Sequence, residues 1–230
     1  MTARAEGAAG AGAAGTGLRP VPVFDPPTAT PGPGRRPVPL SERGPSPRAV
    51  VVGYGFWLFL LSDIIVFSAF FAAYAVLAER TAGGPAGPAL FHRDRVLLET
   101  ACLLASSFTC TLMSIALERR RRDLATLAAA ATFALGAAFL GLELAEFAGM
   151  AGAGATPGRS AFLSAFFALV GLHGAHVASG LAWLLVMLAQ AWTLGLRPEV
   201  AGRVACFALF WHALDIVWIG VFTIVYLGAH

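Results

Sequence analysis

The chain has 230 residues, 57% of them hydrophobic and 13% charged, with a formal net charge of +3. Soluble domains average about 25% charged residues, so this composition, with a mean hydropathy of +0.72, excludes an ordinary soluble domain and points to an integral membrane protein. All 16 basic residues are arginines. They cluster beside apolar runs, so the pI near 9.1 reads as membrane topology and not as a nucleic-acid footprint.

Residues 1–48 are rich in Ala, Gly, Pro and Arg, with almost no large apolar side chains. They cannot bury enough surface to offset the entropy of ordering, so a disordered tail is expected. No apolar core region lies near Met1, so a cleaved secretory signal is not expected. Residues 49–230 read as an all-α five-helix transmembrane bundle. Span one is expected at about Val50–Leu77, with Asp63 half-way along, and a loop of Gly and Pro follows it. Span two, about Val96–Leu117, carries Glu99 near its start and is closed by Arg119–Arg122. Span three, about Leu124–Met150, carries Glu143 and Glu146 late.

Span four, about Ala161–Trp192, holds His173 and His176, flanked by Gly171, Gly174 and Gly180. Small residues there let helices approach closely. Span five, Arg203–Leu227, is long enough to cross a hydrocarbon core of roughly 30 Å. Its polar interior residues are His212, Asp215 and Thr223. His212 and Asp215 are at i and i+3 and share a helix face, with Trp211 and Trp218 on or beside it.

Twelve arginines fall before span one, after span two and after span four, against four in the other loops. The positive-inside rule then puts the N-terminus in the cytoplasm and the C-terminus outside. This orientation places Glu99, Glu143 and Glu146 in an outer polar layer. Asp63, His173, His176, His212 and Asp215 fall in a central one. Leaving the five acids bare at the bilayer centre would cost roughly 12–18 kcal/mol, more than typical net stability. They are therefore expected to be satisfied inside the bundle or in a wet or lipid-filled cleft.

Each candidate chemistry has a plainer competitor. A haem needs an axial His, Met or Cys, but two histidines at i and i+3 cannot face one iron from opposite sides. A di-iron bundle needs Glu-x-x-His motifs, whereas here Glu-x-x-Glu and His-x-x-His lie on separate helices and at different depths. Asp63 or the His212–Asp215 pair suits a proton relay; the competing reading is a hydrogen-bonded pair that fixes helix register. Cys102, Cys110 and Cys206 lie inside apolar segments and read as small core hydrophobes. Tyr54, Trp57, Trp183, Trp192, Trp218 and Tyr226 sit mostly near span ends, where interface anchoring is the plain reading.

Three stretches carry a family resemblance: Gly55–Leu77 (GFWLFLLSDIIVFSAFFAAYAVL), Arg159–Gly180 (RSAFLSAFFALVGLHGAHVASG) and Phe210–Leu227 (FWHALDIVWIGVFTIVYL). With H-G-x-H and W-H-x-x-D-x-V-W as its specific strings, the chain from about Gly53 to Leu227 resembles subunit III of the haem–copper terminal oxidases. The branch it is most similar to is the cytochrome o ubiquinol oxidase, which has five spans and an Asp where mitochondrial-type subunits have Glu. The resemblance implies an accessory subunit in a bacterial inner membrane that holds no haem or copper itself. Those belong to subunit I, and the expected partners are subunits I, II and IV and phospholipid.

By position, Asp63 corresponds to the family's carbodiimide-reactive carboxylate. Glu143/Glu146, His173/His176 and His212/Asp215 match its buried polar positions. Two other readings stand beside this one. Cytochrome c oxidase subunit III shares the motifs, and a stand-alone five-span transporter would need an inverted repeat around a midplane site, which the sequence does not contain.

Overall fold

A computed structural model describes residues 48–83, 93–194 and 198–228. The tail expected at 1–48 lies outside the described residues, except Arg48, which opens the first helix. The all-α, five-span expectation holds. The helices are α1 (Arg48–Leu77), α2 (Arg93–Glu118), α3 (Arg122–Gly152), α4 (Ala161–Leu194) and α5 (Pro198–Val221). All five are long and apolar enough to cross a membrane, and no strand occurs among the described residues.

One departure from a plain helix closes the chain. After Val221, the segment Phe222–Leu227 is π-helical. Its i→i+5 pairing includes the Gly228 N–H on the Thr223 carbonyl at 3.0 Å. Such wide turns are uncommon; here Val225 and Tyr226 are both buried, one after the other.

The helices form a ring with one outlier. α2 packs on α3 and α5, and α4 packs on α3 and α5, so these four close on one another. α1 lies outside the ring, in the groove of α4 and α5, and buries Leu60, Phe67 and Tyr74. Those three are seven residues apart, a spacing that drifts only about 20° per step round a straight helix, so they form one narrow seam. The α1 C-terminal end is tied down as well, because the Arg80 carbonyl accepts the Phe162 N–H at 3.3 Å. Ser160 caps α4 through its hydroxyl, which accepts the Leu163 N–H at 3.1 Å.

Two tight turns hold the antiparallel order. At the end of α2 the Arg121 N–H reaches the Ala116 carbonyl and the Arg120 N–H reaches that of Leu117. The same double bond recurs after α3, from Ala155 to Met150 and from Gly154 to Ala151. Both are Schellman turns, which need a left-handed residue. Gly154 has φ +75° and Arg120 has φ +56°.

Inside the ring the packing is aromatic on glycine. Trp211 is 1% exposed. A Cβ placed on Gly136 would stand 2.9 Å from Trp211 Cζ2, and one on Gly180 would stand 2.8 Å from Trp211 Cζ3. Glycine at those two positions lets α3 and α4 close around the indole of α5.

Candidate functional site

The structure sorts the eight sequence-identified polar residues into three groups. The first is acidic. Glu99 of α2 and Glu143 and Glu146 of α3 are buried and lie within electrostatic reach of one another. Tyr226, buried in the π-helical turn, is within reach of all three. Arg95, one turn before Glu99 on α2, acts on Glu99 and Glu146. Both Glu99 carboxylate oxygens, Glu143 Oε2 and Glu146 Oε1 have no hydrogen-bond partner. Room for the Glu143 carboxylate comes from Gly174, whose Cβ, if it had one, would lie 2.6 Å from Glu143 Oε1.

The second group joins α1 to α4. His176 Nε2 and Asp63 Oδ1 are 3.7 Å apart, each side chain 21% exposed. The His176 Nδ1 bonds the Leu172 carbonyl at 2.8 Å, the contact that an N–H there makes one turn back in a helix. The Phe67 ring lies 5.1 Å from the His176 ring. His173, one turn earlier on α4, is fully buried among the rings of Phe67, Phe139 and Trp218. Neither of its ring nitrogens has a hydrogen-bond partner.

The third group joins α5 to α2. His212 Nδ1 lies 3.8 Å from Asp215 Oδ2, so the i, i+3 pair forms within one helix. The imidazole also shares a 2.7 Å hydrogen bond with Ser107 Oγ and meets Thr111 Oγ1 at 3.4 Å. Asp215 is buried and its Oδ1 has no partner.

The central layer expected from the sequence is therefore divided. Among the described residues no hydrogen bond or ion pair links Asp63–His176 with His212–Asp215. Burial is also less complete than expected, since the His212 side chain is 40% exposed. Helix order explains this: α1 and α2 sit on different sides of α5, so each takes up a different face of the interior. The anchoring role expected of Trp218 and Tyr226 is corrected too, because both are buried. Trp218 stacks near His173 and donates its indole N–H to Thr100 Oγ1 at 3.0 Å. Tyr54 and Trp57, by contrast, are exposed.

Sequence reasoning missed the hydroxyl partners: Thr100, Ser106, Ser107 and Thr111 on α2, and Thr132 on α3, which bonds Thr109 at 2.8 Å. Thr100, Ser107 and Thr111 stand at i, i+7 and i+11, on one flank of α2, but hydroxyls are common enough in spans that the pattern passes unnoticed. Among the described residues, no three His, Cys, Asp or Glu side chains converge as metal-ion ligands. The three cysteines are free.

Comparison with known proteins adds to this geometry. Residues 44–230 match the family model for cytochrome c oxidase subunit III. The chain is 51% identical over 174 residues to the cytochrome bo(3) ubiquinol oxidase subunit 3 of Pseudomonas aeruginosa, covering 76% of this chain and 83% of that one. It is 42% identical over 173 residues to the quinol oxidase subunit 3 of Bacillus subtilis, covering 75% and 85%. It is also 40% identical over 173 residues to the cytochrome c oxidase subunit 3 of Bacillus sp. strain PS3, covering 75% and 84%.

Proposed function

Because this chain belongs to the subunit III family of the haem–copper terminal oxidases, we propose that it is the accessory third subunit of a proton-pumping quinol oxidase. In that complex electrons pass from quinol to oxygen through haem and copper held by subunit I. This chain supplies a five-helix body beside it, in contact with subunits I, II and IV and with phospholipid. Its place is the bacterial inner membrane, with the arginine-rich N-terminal tail in the cytoplasm and the C-terminus outside. Residues 1–48 are then a tail appended to a single transmembrane domain.

One observation supports the accessory role best. Two of the three intramembrane histidines, His176 and His212, are engaged inside the chain, with Asp63 and the Leu172 carbonyl and with Ser107 and Asp215, and the third, His173, is enclosed by the rings of Phe67, Phe139 and Trp218. Side chains engaged in this way hold helices together. Quinol as donor is favoured by the likeness to the Pseudomonas aeruginosa subunit. Asp63, paired with His176 at the α1–α4 joint and matching the family's reactive carboxylate by position, is the residue whose loss weakens retention of this subunit.

The test is purification of the whole oxidase through a tag on this chain, followed by oxygen uptake with a reduced ubiquinol analogue and with reduced cytochrome c. Co-purification with a haem-bearing subunit and uptake on quinol alone is expected. Uptake on cytochrome c alone, or copper-binding Cys and His in subunit II, overturns the donor assignment. Bound metal or oxygen reduction by the isolated chain overturns the accessory role.

A further inference from the structure

Met113 and Leu117 of α2, Ala125 of α3, Met187 and Ala191 of α4 and Val204 of α5 line an apolar hollow between the four helices of the ring. It lies where α2 and α4 finish and α3 and α5 begin. The finish of α1 is tied to the start of α4 by the bond between Arg80 and Phe162, so α1 begins at the end where α4 finishes. The chain before Arg48 therefore enters the fold at the hollow's end of the bundle.

An unfilled apolar hollow forfeits dispersion contacts along its walls. At about 40 Å³ it takes one side chain and not the length of a lipid acyl chain; a cavity of about 150 Å³ takes a whole benzene ring. Its two methionines, unbranched and flexible, give way to a larger occupant. The lip is basic. Arg119–Arg122 turn α2 into α3, and Arg203, next to Val204, donates to Gln190 Oε1 at 2.6 Å. The acids at that turn are Glu118 and Asp123.

Residues 1–47 contain one segment that matches both features. Val21, Val23 and Phe24 are their densest apolar group, Phe24 is their single aromatic residue, and Asp25 is the one acid among residues 7–41. Pro20, Pro22, Pro26 and Pro27 surround these side chains and restrict the backbone, so less freedom is lost on docking. The 23 residues between Phe24 and Arg48 have a root-mean-square reach of about 25 Å as a flexible chain. From α1 the hollow lies beyond α4, and a helix with its side chains is about 10–12 Å across, so the tether matches a span of two helices. A matched tether gives an effective concentration in the millimolar range.

We propose that residues 20–27 of this chain dock in the hollow, with the Phe24 ring edge between Met113 and Met187 and the Asp25 carboxylate on the arginines of the lip. The segment is then a strap across the open end of the ring. The proposal stands apart from the oxidase reading, since it needs only the directions in which the helices run.

The experiment puts a benzophenone amino acid at position 24, or at position 30 as control, in the full chain, irradiates native membranes and isolates the chain through a C-terminal tag. Digestion and mass spectrometry locate the new bond. The expected result is an intrachain bond from position 24 to residues 113–129 or 184–204, at least fivefold above that from position 30. D25R, which lies outside the helices, lowers that yield at least threefold, and D25E retains it. A191L, which fills the mouth of the hollow, lowers it as well. Bonds to lipid alone, to another polypeptide or between two copies of this chain overturn the proposal, as do a yield no greater than the control and a D25R or A191L yield equal to the parent.

Discussion

Trp211 donates its indole N–H to Ser106 Oγ at 3.0 Å, joining α5 to α2, while its ring fills the hollow left by Gly136 of α3 and Gly180 of α4. One side chain thus meets all three other helices of the ring. Changing Gly180 or Gly136 to Ala forces the indole to move, and overpacking of this kind costs about 1–3 kcal/mol. Gly141 has nothing within 4 Å of an added Cβ, so G141A gains about 0.5–1 kcal/mol of helix preference instead. Thermal unfolding of the variants in one detergent checks the opposite signs.

The Asp63–His176 pair spans 3.7 Å between two partly exposed side chains. Polar pairs across membrane helices average about 0.6 kcal/mol and reach about 1.7. A double-mutant cycle with D63A and H176A is expected to return a coupling in that range. In the assembled oxidase, D63A leaves the haem spectra unchanged and lowers the fraction of complexes that keep this subunit through purification. Loss of haem would contradict the accessory role.

Gly174 faces the Glu143 carboxylate closely enough that a Cβ would stand 2.6 Å from Oε1. G174A therefore lowers stability, by about 1–3 kcal/mol for the displaced side chain. Adding E143A removes the clash, and the double variant is more stable than the sum of the two single effects by at least about 1 kcal/mol, as expected for groups in contact. Additive effects would show that Glu143 relaxes freely.

The two Schellman turns make a matched pair. Gly154, at φ +75°, occupies a left-handed position that costs an L-residue about 1–2 kcal/mol. G154A is expected to lose about that amount, read as a lower unfolding temperature. The mirror change, R120G, relieves the same strain at φ +56° and is expected to raise it.

The spans were legible because lipid admits only long apolar runs whose backbone is satisfied internally. The same demand made each buried charge conspicuous. Pairs within one helix were therefore readable: His212 with Asp215 follows from an i, i+3 spacing, and the two are 3.8 Å apart. Pairs between helices were not. Asp63 and His176 are 113 positions apart in the sequence, and no local pattern says which span neighbours which.

The burial of Trp218 was hidden for a related reason. Its indole sits deep because Thr100, on another helix, offers an acceptor. The π-helical turn at Phe222–Leu227 leaves no mark in an apolar string.

The peripheral seat of α1 sets a timetable for biogenesis. A ribosome delivers α1 to the membrane first, yet the helices it rests on, α4 and α5, are made last. Until His176 emerges, Asp63 waits in the bilayer without its counterpart. An insertase or assembly factor that shelters lone spans therefore has its longest task here, and slowing translation after α3 prolongs the chain's dependence on it.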